Sequence, residues 1–218
     1  MKTIATAMAI AGSFIISARS QGFLNLNFES AYNLPENPPF PNGELVSATN
    51  ALPGWTAYNG PGALSDVNYV SNEVSGFQTS VELEGGTLAL SGDFSVELFL
   101  NGSIGQTGLV PADAESLQFE AEGAGANGTL GASGFSVTLG GQTVSYSLLS
   151  EGSGYDVYGA NIPAGMDGQT EPLAFVCFGI GSGQVVLDNI EFSTSSVPEP
   201  AEWSMIGLGA VLFGLWRR

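Results

Sequence analysis

Positive charge is what this sequence has least of. Its four basic residues are Lys2, Arg19, Arg217 and Arg218, so no position from Ser20 to Trp216 carries a cationic side chain, and histidine is absent altogether. Against these stand 21 acidic residues, for a formal net charge of −17. Nucleic-acid binding is excluded, because lysine and arginine are what neutralise phosphates. Anionic lipid head groups would repel the chain for the same reason. Side-chain ion pairs cannot form between the two ends. Each of the nineteen carboxylates from Gln21 to Pro198 must therefore be solvated, hydrogen-bonded to backbone amides, protonated or neutralised by a bound cation. A divalent metal is a candidate on charge alone.

Cysteine is nearly missing too. Cys177 stands alone within Leu173 to Ile180, so no internal disulfide is available. A nucleophilic thiol would want an imidazole or a cation to lower its pKa, and none exists, so the residue reads as a small buried hydrophobe. The same shortage bears on catalysis in general. A mechanism would have to rest on carboxylates, Ser, Tyr or a metal, and no motif for any of these appears, so the chain reads as a non-enzyme.

Two apolar runs mark the ends. Lys2 supplies a charged start, Ile4 to Ile16 an apolar stretch, and Ala18-Arg19-Ser20 small residues where a signal peptidase reads. Residues 1–20 are expected to be a signal peptide cut after Ser20, with a membrane anchor as the alternative. At the other end, Pro198-Glu199-Pro200 breaks any preceding strand, and Trp203 to Trp216 follows without a charge before Arg217-Arg218. Those fourteen residues make about 21 Å of helix, short of the roughly 30 Å hydrocarbon layer. The flanking tryptophans and terminal arginines nevertheless favour a short transmembrane helix with its C-terminus in the cytoplasm; a greasy helix docked on the domain is the alternative.

In this order, Val-Pro-Glu-Pro, short apolar helix and terminal arginines resemble the PEP-CTERM sorting signal of exported bacterial proteins, here residues 197–218. The resemblance implies a Gram-negative bacterium that makes extracellular polysaccharide. It also implies export through the Sec translocon and transient anchoring in the inner membrane. An exosortase-type enzyme would then recognise Pro198, Glu199 and Pro200, with Arg217 and Arg218 holding the tail.

Between the two ends, residues 21–196 suit one β domain. The hydrophobic period is two almost throughout. Phe135 to Leu139, Gly140-Gly141 and Val144 to Leu148 form the clearest hairpin pattern. Val81 to Leu83, Gly85-Gly86 and Leu88 to Leu90 form a second. Further strands are expected at Phe23–Phe28, Trp55–Tyr58, Val67–Val70, Phe94–Leu98, Leu117–Glu122, Tyr155–Tyr158, Leu173–Ile180 and Val185–Phe192, eight to eleven in all. In these runs Glu82, Glu84, Glu97, Glu120 and Glu122 take the parity opposite the apolar residues and are expected to face water. The pairs Glu82/Glu84 and Glu120/Glu122 thus read as solvated, rather than as the two carboxyl groups of a glycosidase. The fold class expected is all-β, an antiparallel sandwich of jelly-roll type.

Asn27-Phe28-Glu29 at the first strand, Gly54-Trp55 at the second and Leu187-Asp188-Asn189 at the last resemble the galactose-binding-like jelly rolls used as carbohydrate-binding modules. That resemblance implies a structural Ca2+ where first and last strands meet, with Glu29 and Asp188 its carboxylates. The residues themselves also point to Asp188, which shares parity with Val186, Ile190 and Phe192 and has no cation to compensate it. A bulge, or a strand buried on both faces, is the alternative. Trp55, Tyr58 and Tyr69 could stack on a sugar ring or belong to the core. The readings are, in order, a surface or matrix protein associated with extracellular polysaccharide, a stand-alone carbohydrate-binding module, and a carboxylate-based hydrolase.

Overall fold

Alternation of apolar and hydroxyl residues builds most of the molecule. The computed structural model describes residues 22–36, 38, 43–71, 79–123, 130, 134–178 and 183–198. The expected signal peptide and the tail beyond Pro198 lie outside the described residues. In chain order the elements are β1 (Glu44–Ser47), a single helical turn α1 (Ala48–Ala51), β2 (Thr56–Asn59), β3 (Gly62–Ala63), β4 (Asp66–Val70), β5 (Val81–Gly85) and β6 (Phe94–Leu98). They continue with β7 (Gly102–Leu109), β8 (Ser116–Gly123), β9 (Phe135–Leu139), β10 (Gln142–Val144), β11 (Tyr146–Glu151), β12 (Asp156–Asn161), β13 (Thr170–Cys177) and β14 (Val185–Ser193). No helix among the described residues is long and apolar enough to cross a membrane.

The strands form two sheets. The larger runs β1-β4-β5-β6-β14-β8-β12-β11 and the smaller β10-β9-β13-β7-β2-β3. Pairing is antiparallel except between β4 and β5. One core fills the space between them: Val81, Leu83, Val96, Leu98, Leu117 and Leu187 come from the larger sheet, and Ala57, Ile104, Val137, Leu139 and Leu173 from the smaller. At one end Phe119 on β8 meets Tyr146 and Tyr158 of its own sheet and Phe135 and Phe175 of the other, with ring centroids 5.6–6.0 Å apart. Such rings bury large areas and lock in offset or edge-on geometry, which ties the sheets together. Cys177 is buried in the same core, and burial pushes its thiol pKa up.

Several expectations fail here for local reasons. Phe23–Phe28 is not a strand: Asn25 and Phe28 adopt φ of 49° and 57°, left-handed values that end a ladder. The segment instead ties the two sheets together, through β7 of the smaller and β14 of the larger. Gln106 bonds both the N–H and the carbonyl of Leu24, and Ile190 N–H donates to the Leu26 carbonyl. Gly85-Gly86 does not turn a hairpin. Residues 86–88 form a 3-10 turn, Leu88 to Leu90 is not a strand, and β5 pairs with β6 instead. Gly140-Gly141 does turn one, with φ of 61° and 73°, but the returning strand breaks after Val144 and crosses to the other sheet as β11. The described residues hold fourteen strands rather than eight to eleven, since β1, β3 and β7 carry no expectation and the run from Val144 to Leu148 is divided between β10 and β11.

Candidate functional site

Three of the carboxylates expected to face water are buried together. β5 lies between β4 and β6, with Val81 and Leu83 directed to the core, so Glu82 and Glu84 project from the opposite face of the larger sheet. Glu97 on β6 sits directly opposite Glu82, and Asn68 on β4 lies beside it. None of the three glutamates faces water: Glu82 is 0% exposed, Glu84 7% and Glu97 1%. One carboxylate oxygen from each lies within 4.8 Å of the others. Glu122 is exposed and Glu120 half-buried, so only at that pair does the alternation lead toward solvent.

Buried like charges drive each other's pKa upward. Desolvation raises Glu82 to about 7, partly offset by the Asn68 amide, whose Nδ2 donates to Oε2 at 2.6 Å. Burial also raises Glu84, with Glu97, Glu82 and Glu122 adding repulsion. Glu97 rises too, chiefly through burial and then through Glu82. Glu84 and Gln184 come near enough to Glu97 to temper its rise. Even so, no donor meets either of its oxygens, or Oε1 of Glu82, at hydrogen-bonding geometry.

Asp188 occupies the same outer face, one cross-strand step further on. It is 1% exposed, and it accepts hydrogen bonds from Ser95 Oγ at 2.7 Å, Ser91 N–H at 3.2 Å and, on its other oxygen, Asn189 N–H at 2.7 Å. Burial still raises its pKa to about 6. Its strand bulges between Asp188 and Glu191, with Asn189 at φ 41°, and this turns Ile190 back into the core. Sharing a parity with Ile190 therefore did not put Asp188 on the core face. Glu29, half-buried, accepts from Asp93 N–H at 2.9 Å and Phe94 N–H at 3.1 Å. The two residues proposed from the sequence thus brace one segment, residues 91–95, Asp188 at its two ends and Glu29 in its middle, each through protein donors.

The aromatic candidates separate. Trp55 is 5% exposed, packed between Phe28 at 5.7 Å and Phe175 at 6.2 Å, with its indole N–H on the Asn25 carbonyl. It is a core residue, without a solvent face on which a sugar could stack. Tyr69 is buried as well, against Phe94. Tyr58 is half-buried on the outer face of the smaller sheet. Of the sorting motif, Pro198 is described and exposed, while Glu199, Pro200, Arg217 and Arg218 lie outside the described residues.

A groove of about 330 Å3 opens where the β14 bulge leaves β8. Its lining is polar at Gln118, Glu120, Asn189 and Glu191 and apolar at Phe119, Val157 and Ile190. The Asn189 amide donates to Glu120 at 3.1 Å. Nothing in the strand pattern marked this groove, because the bulge creates it.

Fold and site together define an all-β, two-sheet protein with a buried carboxylate cluster on the outer face of its larger sheet. No protein-family model matches the chain, and no curated protein matches it. Among solved structures it is similar to the K2 cleaved adhesin domain of Lys-gingipain, with 14% identity and a TM-score of 0.42 over 77% of this chain and 95% of that one. It is also similar to TmCBM61, solved in complex with beta-1,4-galactotriose, with 13% identity and a TM-score of 0.36 over 80% of this chain and 99% of that one. At this level neither likeness says what this chain binds.

Proposed function

We propose that this is an exported, non-enzymatic jelly-roll protein of a Gram-negative cell surface or extracellular polysaccharide matrix. It is delivered through the Sec translocon and held briefly in the inner membrane by a short C-terminal transmembrane helix. An exosortase-type enzyme acting at Pro198-Glu199-Pro200 then releases it. The observation that carries this reading is the order of features around Val197. Asn161 clasps that residue from both sides, with Val197 N–H on its Oδ1 at 2.6 Å and its Nδ2 on the Val197 carbonyl at 3.0 Å. Val197 is buried, whereas Pro198 is exposed. An exposed Pro198 directly after a docked residue of the β body supports this reading.

The polyanionic body fits that setting, since it stays soluble and can be bridged to acidic polymers by divalent cations. A hydrolase is disfavoured because the buried glutamates offer a substrate no access. Replacing Pro198 and Pro200 by alanine tests the reading. The variant should accumulate in the membrane fraction with its tail intact, and release equal to wild type would contradict it.

A second reading is a carbohydrate-binding module, favoured by the bulge groove. Amide and carboxylate groups beside apolar residues are the kind of lining that orients sugar hydroxyls. A glycan array probed with the full chain should then show binding that Glu191→Ala weakens at least tenfold; a blank array removes this reading and leaves the first standing.

A further inference from the structure

We infer that Glu82, Glu84 and Glu97 form a binding site for one hard divalent cation of calcium's size. The site is separate from the segment braced by Glu29 and Asp188, and it holds or fails whatever becomes of the sorting proposal. Geometry comes first. Oxygens on opposite sides of a Ca2+ ion, each at about 2.4 Å, are about 4.8 Å apart, and the three carboxylates bring one oxygen each within that spread. Mg2+ demands about 2.0–2.1 Å, near-ideal octahedral order and retained waters, which suits it less well to a cluster closed from solvent.

The unmet valence of the cluster is a second and independent observation. Oε1 of Glu82 and both oxygens of Glu97 are buried and meet no donor, although Glu97 is 1% and Glu82 0% exposed. Asn68 holds the other Glu82 oxygen, which leaves Oε1 as the one free to ligate. Ordinarily a lysine or arginine would answer such a group, because removing one partner of a buried charge leaves a penalty of several kcal/mol. No such side chain exists between Ser20 and Trp216. Protons are the other way to neutralise the cluster, and burial favours them at low pH; above neutrality a bound cation would have to displace them. Three carboxylates and one divalent ion carry one net negative charge in place of three.

The test uses the full chain, stripped with EDTA, dialysed and titrated with CaCl2 or MgCl2 near pH 8. Isothermal titration calorimetry and thermal melting read the result. Calcium should bind and raise the melting temperature, with proton release, and magnesium should act more weakly. Glu97→Gln and Glu84→Gln should each melt no lower than wild type in EDTA, which shows that they fold, yet lose at least tenfold in calcium affinity. Asp188→Asn and Glu122→Gln should keep the wild-type response. A wild-type chain that binds neither ion would overturn the inference, as would glutamine variants that bind calcium as the parent does.

Discussion

Glu82 is where a single side chain has the clearest measurable consequence. Its carboxyl has an ordinary pKa of 4.5 and is raised to about 7 by burial, so between those values the folded chain binds protons that the unfolded chain has released. Stability from this group is therefore full below about pH 4.5 and is lost as pH rises through 7. Glu84, Glu97 and Asp188 are shifted in the same direction and add to the same slope. In EDTA the melting temperature should fall between about pH 5 and pH 8. Glu82→Gln should recover up to about 2–3 kcal/mol at the upper pH and nothing at the lower, as read by denaturant titration at both. A metal-free chain whose stability rises with pH would contradict the burial of these groups. Trp55→Ala makes a contrasting case: emptying a site between Phe28 and Phe175 should cost about 3–5 kcal/mol at either pH.

The three buried glutamates were only partly legible in the sequence. Alternation placed Glu82, Glu84 and Glu97 on the outer face correctly. It could not say whether that face is open, because period two fixes direction and not cover. The cation shortage is plain in the sequence: no carboxylate from Gln21 to Pro198 can find a lysine or arginine partner there. Which carboxylates would converge depended on β5 pairing with β6, a long-range fact invisible to a local pattern.

At the scale of elements, β7 is the instructive omission. Gly102, Gly105 and Gly108 make it read as loop, yet it pairs with β13 over seven positions and with β2 over four. At Gly102 and Gly108 other backbone comes close: a Cβ on Gly102 would stand 1.9 Å from the Ser80 carbonyl oxygen, and one on Gly108 2.7 Å from the Phe23 nitrogen. Gly102→Ala should therefore cost about 1–3 kcal/mol by overpacking, measured from the denaturant midpoint. Phe23–Phe28 is the reverse case: its apolar alternation predicts a strand, but asparagine tolerates left-handed backbone and Asn25 adopts it. Hairpin chemistry was legible at Gly140-Gly141 because the turn is local; the crossing to β11 two residues later was not. For the segment held by Glu29 and Asp188, Glu29→Ala should cost about 1.5–3 kcal/mol, since two backbone amides lose a charged acceptor. A melting curve unchanged by that substitution would mean the segment needs no brace.

For the whole molecule, net charge decides the response to salt. With a formal charge of −17 and no ion pairs to screen among the described residues, added NaCl relieves only repulsion. Raising it from about 10 to 500 mM near neutral pH should increase the melting temperature steadily, whereas an ion-paired protein of this size would respond weakly or in the opposite sense. The same absence of cationic side chains means that, in the proposed setting, contact with acidic polymers would run through bridging divalent cations. It links the β body to the two ends proposed to deliver it. Export is the claim on which the functional account rests, and mass spectrometry of the protein recovered from its native source, fraction by fraction, tests it most directly. The account predicts a surface or extracellular product that starts at Gln21 and has lost Arg217-Arg218. A cytosolic product with Met1 and Arg218 both intact would contradict it.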